Sequence, residues 1–240
     1  MAGIKTGISG QINNNIVTDG LIFYVDPAYK KSWTGPNSTN VNDLAGSSTN
    51  TISNDPSGSY GINKSFIFDG VDDKIATTFN PSTSIGDNNS WTINCWVYNQ
   101  DVTAGSGQKQ RILGSVNLGG TVKRFWLGAR YGKVRVGYGN SNWALTNDSV
   151  LYVNNIWQHV AATFDYSASL ITAYFNGVAE DTLNYTGDTL ISETDIRIGG
   201  VELDNVPWIG NISSIGIYNR ALSAAEVTQN YQAQKERFGF

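Results

Sequence analysis

Cys95 and His159 are the only cysteine and the only histidine in this 240-residue chain. One cysteine permits no intrachain disulfide. Together with one histidine it cannot assemble the nitrogen and sulfur ligands of a structural zinc site. Nucleophilic catalysis of the Ser-His-Asp or Cys-His kind requires a base beside the nucleophile. His159 lies in WQHVAATFD, among strand-forming residues, and reads as a structural histidine. Charge is sparse as well, at 15% of residues with a net value of -4, and the basic run Val122-Lys123-Arg124 is isolated. A phosphate-binding stripe is therefore not expected, which argues against nucleic-acid binding. The opening MAGIKTGISGQINNN contains no apolar h-region, and no apolar run approaches the roughly 18 residues of a membrane span, so the reading predicts neither a secretory signal nor membrane insertion.

Glutamate is nearly as scarce. Glycoside hydrolysis needs two carboxyl groups flanking the scissile bond. The five glutamates are Glu180, Glu193, Glu202, Glu226 and Glu236. Glu193-Thr194-Asp195 begins an E-x-D-x-x-E pattern of sandwich-fold glucanases, but Ile198 stands where the last carboxylate belongs. The catalytic motif is incomplete, and the chain is expected not to be an enzyme.

What is present is a core and many turns. Residues are 40% hydrophobic and 12% aromatic, with 26 Gly, enough for one β domain of this length. Residues 1–20, rich in Gly, Asn and Ser, read as a flexible arm in which Ile4, Ile8, Ile12 and Ile16 are candidate assembly contacts. The LIFYV run after Gly20 begins a strand, and the polar stretch from Lys30 to Gly61 reads as a long loop. Short β-branched and aromatic segments then alternate with turn clusters, the pattern of an antiparallel sandwich. Val134, Val136 and Tyr138 oppose Lys133 and Arg135 with the period of a half-buried strand. Leu170 to Phe175 is apolar on both faces, which places it centrally, and Asn176-Gly177 after it predicts a hairpin turn. The last element is a helix over about 223–238: Ser223 and Glu226 form a capping box, and Leu222 and Val227 a staple.

SFIFDGVDDKIATTF, residues 65–79, places three aspartates in what reads as a hairpin turn. Aspartate caps turn amides. Crowded carboxylates also repel one another, and calcium relieves that repulsion with oxygen ligands alone. Both readings stand at this point.

The segments SFIFDGVDDKI, WTINCWV, WQHVAATFD with ITAYFNG, and IRIGG followed by WIGNISSIGIYNRALSAAEV resemble the laminin-G-like, concanavalin A-like jellyroll domains. The resemblance implies an all-β, two-sheet antiparallel jellyroll over residues 21–240, closed by the C-terminal helix. It also implies calcium in some members, which makes Asp69, Asp72, Asp73 and Asp204 candidate ligands. Function is left open, because this sandwich hosts lectins, hydrolases, adhesion modules and virion proteins. GLIFYVDPAYKKSW and NRALSAAEVTQNYQAQKERFGF resemble the ends of such domains in structural proteins of tailed bacteriophages. That implies a virion subunit, a head decoration or tail-associated protein, assembled in the host cytoplasm with other virion proteins as a symmetric homo-oligomer such as a trimer.

Aromatic rings offer a second expectation, since sugars stack their C–H faces on them. Trp91, Trp96, Trp126 and Trp157 follow strand patterns and read as core. Trp33, Tyr138, Trp143 and Trp208, with Asp204, are the candidate glycan-binding residues of a lectin or adhesin that would act outside or on the surface of cells.

Overall fold

The computed structural model describes residues 15–53, 64–101, 109–115, 124–140, 152–187, 189–192, 194–200 and 206–240. Its strands are β1 (Leu21–Val25), β2 (Asn40–Asn42), β3 (Thr49–Ser53), β4 (Phe66–Asp69), β5 (Lys74–Thr77), β6 (Trp91–Asn99), β7 (Lys109–Ser115), β8 (Arg124–Arg130), β9 (Lys133–Gly139), β10 (Trp157–Asp165), β11 (Leu170–Phe175), β12 (Val178–Asn184), β13 (Ile196–Ile198) and β14 (Ile209–Tyr218). A single helical turn, α1 (Pro81–Ser84), follows β5. Helix α2 (Ala224–Gln234) runs into a 3₁₀ turn, Lys235–Phe238.

All described pairings between these strands are antiparallel. Sheet A has the order β1-β14-β6-β10-β11-β12, with β4 also on β14, and sheet B the order β2-β3-β5-β13-β7-β8-β9. The jellyroll sandwich expected from the sequence is the fold. Alternation assigns one parity of each strand to the interior. Ile93, Cys95 and Val97 of β6 face Phe125 and Leu127 of β8 and Val134, Val136 and Tyr138 of β9 across one apolar core. Cys95 is buried and free, and burial pushes its thiol up.

Three departures from the sequence reading have physical causes. β2 and β3 lie within the stretch read as a loop; they are polar because each shows alternate residues to solvent and only Val41 and Asn50 are buried. β12 escaped recognition because it is an edge strand, bonded on one side and rich in exposed polar residues. β11 is consequently not central but next to that edge. It is apolar on both sides because Ile171 and Phe175 enter the core while Tyr174 packs in a second cluster with Tyr218 and Val227. The hairpin turn between β11 and β12 is as expected, with Asn176 and Gly177 at φ 47° and 80°.

That second cluster lies on the outer face of sheet A, under the C-terminal helix. The capping box at Ser223 and Glu226 forms as expected, and Leu222 and Val227 are buried beside each other's cluster partners. Asn230 donates to Asn94 Oδ1 and to the Tyr218 hydroxyl, while Gln234 Oε1 accepts from Trp96 Nε1 at 3.0 Å. Arg237 then places Nη1 2.8 Å from both carboxylate oxygens of fully buried Asp26.

Ile16 does not belong to a free arm. It is buried with Val17 in this layer, Val17 N–H donates to Asn230 Oδ1 at 2.8 Å, and the Tyr218 hydroxyl donates to the Val17 carbonyl. An isoleucine and a valine beside an aromatic layer gain more from burial than from solvent exposure. Ile4, Ile8 and Ile12 lie outside the described residues.

Candidate functional site

The two outer faces of the sandwich differ. Sheet A is closed by α2, the 3₁₀ turn and residues 15–17. Phe238 and Tyr231 stack on Trp96, and Phe238 also packs on Trp157. His159 is sealed beneath them, 5.4 Å from Trp96 and 6.0 Å from Tyr231 between centroids. Burial pushes it down to about 3, so it stays neutral and structural at physiological pH.

On sheet B the register assembles something else. Partners across a sheet share a face, so outward residues align in rows. One row runs from Gly137 through Trp126, Gly114, Arg197 and Ala76 to Thr51. Beside it lie Arg135, Gly128 and Arg111, then Lys133 and Arg130. Arg124 ends the outward parity of β8, and Lys74 that of β5. Five of the chain's seven arginines thus gather on one face. Arg220 is paired with Asp19 and Glu226, and Arg237 with Asp26, on the other side of the sandwich. The strands of sheet B contain no Asp or Glu; Asp195 is exposed just before β13.

Trp126 organises the centre of this face. Its indole lies across β9 where a Cβ on Gly137 would overlap Nε1, so that position requires glycine. On the indole rests the Arg111 guanidinium, with Cζ 3.4 Å from the ring centroid, a cation–π contact that orients the cation. Arg111, Arg135 and Trp126 are mostly buried, whereas Lys74, Arg124, Arg130, Lys133 and Arg197 are half-exposed. Burial and the like charge of Arg130 both pull Arg135 down from its ordinary value.

The sequence-predicted glycan residues are not brought together here. Trp33 is 1% exposed, packs on Phe66 and donates Nε1–H to the Ser38 carbonyl. Tyr138 is in the core against Trp91 and Phe164, its hydroxyl donating to the Thr189 carbonyl. Trp208 is fully buried beside Tyr152. These large rings gain most by leaving water, and backbone carbonyls take the polar tips of Trp33 and Tyr138. None of the three is a surface platform. Trp143 and Asp204 lie outside the described residues. Trp126 is buried, as its strand pattern suggested, but on the outer side of sheet B rather than between the sheets. The available signal was its parity, shared with Arg124 and Arg130 and opposite to Phe125 and Leu127.

The aspartate hairpin is built as a turn. Asp73 Oδ2 accepts the Asp69 N–H at 2.8 Å, and Asp69 Oδ1 accepts the Val71 N–H at 2.8 Å. Asp69, Asp72 and Asp73 can each bring one oxygen within 4.8 Å of the others. This donor set fits part of the oxygen shell of calcium, and these are the described residues that would hold such an ion. Asp73 is buried, and burial, followed by the charges of Asp69 and Asp72, pushes it up to about 6 against the opposing backbone bond.

The profile of the concanavalin A-like lectin/glucanases superfamily matches residues 69–228, more than half of the chain. The chain belongs to that superfamily. No curated protein sequence matches it significantly. Among solved structures, a mutant of HCR/D superposes with a TM-score of 0.69 at 17% identity over 92% of this chain and 53% of that one. The binding domain of Paraclostridial Mosquitocidal Protein 1 gives 0.62 at 17% identity, over 89% of this chain and 52% of that one. Trypanosoma rangeli sialidase, in complex with 2,3-difluorosialic acid, gives 0.63 at 15% identity, over 94% of this chain and 35% of that one. At these identities the likeness is one of fold alone. This chain spans about a third to about half of the length of those proteins. Among the described residues no helix is long and apolar enough to cross a membrane.

Proposed function

We propose that this lectin-like jellyroll is a non-enzymatic recognition module that binds glycan on the outer face of sheet B. One observation carries the reading: the outer face of sheet A is occupied by the chain's own helix, while that of sheet B presents aligned rows of hydrogen-bonding side chains around Trp126. Arginines, threonines and asparagines there match the hydroxyl and substituent groups of sugars. Binding without cleavage is supported by the absence of carboxylates from the strands of that sheet, since hydrolysis needs a pair of them. The test is a panel of neutral and acidic glycans against the wild-type chain. Retention of a glycan, lost in Trp126→Ala at unchanged fold by circular dichroism, supports the reading; failure of every glycan to bind removes it.

A second reading, a structural virion subunit, concerns what the chain is built into. It is favoured by the way the two phage-like terminal segments dock on each other, Gln234 donating to the Tyr24 hydroxyl and Arg237 to the Asp26 carboxylate. The Gln229 amide donates to the Asn15 carbonyl, which fixes where residues 1–14 join the sandwich, beside a cleft of about 490 Å³ lined by Tyr29, Gln232, Glu236 and Arg237. In this reading residues 1–14 contact a neighbouring head or tail protein and the chain assembles as a homo-oligomer. Deleting residues 2–14 should abolish incorporation into purified particles while the melting temperature stays put. Normal incorporation of the deletion would defeat that role, and protein found only outside particles or on cells would leave the extracellular glycan-binding reading.

A further inference from the structure

We infer that a second binding site, for an uncharged sugar unit, lies in the cleft that Asp43, Ser47, Ser48, Thr78, Thr83 and Ser84 line where the β1 edge of sheet A meets the β2–β3 end of sheet B. The inference goes beyond the glycan-binding reading above, because this cleft is separate from Trp126 and stands or falls without it.

Three segments distant in the chain meet there: Ile22 in β1, residues 43–48 between β2 and β3, and residues 78–84, which leave β5 and run through α1. Asp43 sets the turn. Its Oδ1 accepts the N–H groups of Ala45 and Gly46, both at 3.0 Å, the bonding by which an aspartate closes its own turn. The same oxygen accepts the Tyr24 N–H of β1 at 2.9 Å. Three donors thus fix the carboxylate in one orientation and occupy Oδ1. Among the described residues Oδ2 accepts from Ser48 Oγ alone, at 2.9 Å, and a carboxylate oxygen has room for a second donor. A Cβ on Gly46 would fall 2.6 Å from both Asp43 Oδ2 and the Ile22 carbonyl oxygen, so these two acceptors converge beside a position that requires glycine.

The rest of the wall is largely hydroxyl. Thr78 Oγ1 accepts the Thr49 N–H at 2.9 Å, and Thr83 Oγ1 donates to the Asn80 carbonyl at 3.1 Å, which orients each and leaves a lone pair on both. The Ser47 and Ser84 hydroxyls bond to no other described residue, so each keeps its donor and its acceptors. Ile22 and Phe79, the latter set edge-to-face on Phe23 with centroids 5.2 Å apart, add apolar surface for the C–H groups of a sugar ring.

This lining selects the ligand class. A cleft of about 380 Å³ has the size of a small-molecule site. Among the described residues that line it there is no Lys or Arg to hold a phosphate, a sulfate or an acidic sugar. One carboxylate with an oxygen already engaged by amides is too little for calcium, which takes roughly six to eight oxygen ligands. Hydroxyls beside a carboxylate suit a ligand that donates and accepts at several adjacent atoms, as an uncharged sugar does.

The experiment is amide-resolved NMR of the full chain, titrated with the methyl glycosides of glucose, galactose, mannose and N-acetylglucosamine, and separately with glucuronate and calcium chloride. Two variants are compared with wild type. Asp43→Asn keeps an acceptor for the three N–H groups and takes the charge from Oδ2. Ser47→Ala with Ser84→Ala removes hydroxyls that bond to nothing in the fold, and decides the matter if Asp43→Asn proves unfolded by circular dichroism. The expected result is saturable shifts of the Ala45, Gly46 and Ser84 amides with at least one glycoside, its affinity weakened about tenfold or more in the variants. Glycoside shifts confined to sheet B strands around Trp126 would overturn this inference and leave the glycan reading standing. Equal affinity in wild type and variants, or no shift at the cleft with any glycoside, would also overturn it. Glucuronate or calcium moving those amides where the glycosides do not would reassign the cleft to an anion or a cation.

Discussion

Phe238, near the end of the chain, lies nearly parallel to Trp96, with ring centroids 4.2 Å apart and an interplanar angle of 14°. The contact joins the C-terminal 3₁₀ turn to the centre of sheet A and shields Trp96, which has no exposed surface. Phe238→Ala is expected to cost about 3 kcal/mol, the lower end of the range for deleting a buried Phe, because the site is at the edge of the layer. Denaturant unfolding measures the loss. A red shift of native tryptophan emission would report water reaching Trp96.

Glu226 links the helix cap to pH. Hydrogen bonds from Arg220, at 2.6 and 3.0 Å, and from the Ser223 N–H hold its carboxyl down at about 2 against an ordinary 4.5. A depressed carboxyl stabilises the fold fully above its free value, and that stability is lost as pH falls from about 4.5 through 2. Wild type should therefore lose melting temperature between pH 5 and pH 2 more steeply than Glu226→Gln. Parallel slopes would show that the pair adds nothing to stability.

Asp73 has the opposite sign. Its carboxyl is raised to about 6 from 3.8, so the folded chain prefers it protonated; the stability this confers is complete below about 3.8 and lost as pH rises through 6. Asp73→Asn keeps an acceptor for the Asp69 N–H and cannot ionise. It should be more stable than wild type at pH 8, with the difference shrinking toward pH 4. Calcium would neutralise the cluster as a proton does. A cation held by Asp69, Asp72 and Asp73 would show itself as a calcium-dependent rise in wild-type melting temperature at pH 8 that Asp73→Asn lacks.

Gly137 tests the centre of sheet B. Any side chain there displaces the Trp126 indole and with it Arg111. Gly137→Val is expected to destabilise by about 1–3 kcal/mol, as overpacking does. The loss should appear in thermal unfolding, with a change in near-ultraviolet dichroism from the moved indole. An unchanged spectrum would mean that Trp126 does not depend on this glycine.

The fold was legible because strand periodicity is a local property. Phe125 and Leu127, or Val134 and Val136, declare an inner face by their own spacing, and Ser223 with Glu226 declares a helix start from adjacent residues. The aspartate turn was equally readable, because Asp69, Val71 and Asp73 bond within a few positions of one another. The aromatic ligand candidates were not. Trp33, Tyr138 and Trp208 flank polar segments, yet each lies against residues far along the chain or across the sandwich, and hydrophobic transfer favoured burying them.

By itself, then, the sequence determined the all-β sandwich, its inner parity, the capped C-terminal helix and the structural roles of Cys95 and His159, all of which follow from local pattern and residue scarcity. Only the tertiary structure decided that Ile16 packs with Asn230 and Tyr218, that sheet A is closed by its own helix, and that Arg111, Arg135 and Arg197 share a face with Trp126. The first two depend on side chains that meet from opposite ends of the chain, and the last on register between strands distant in sequence, where a shift of one residue would turn those side chains to the opposite face.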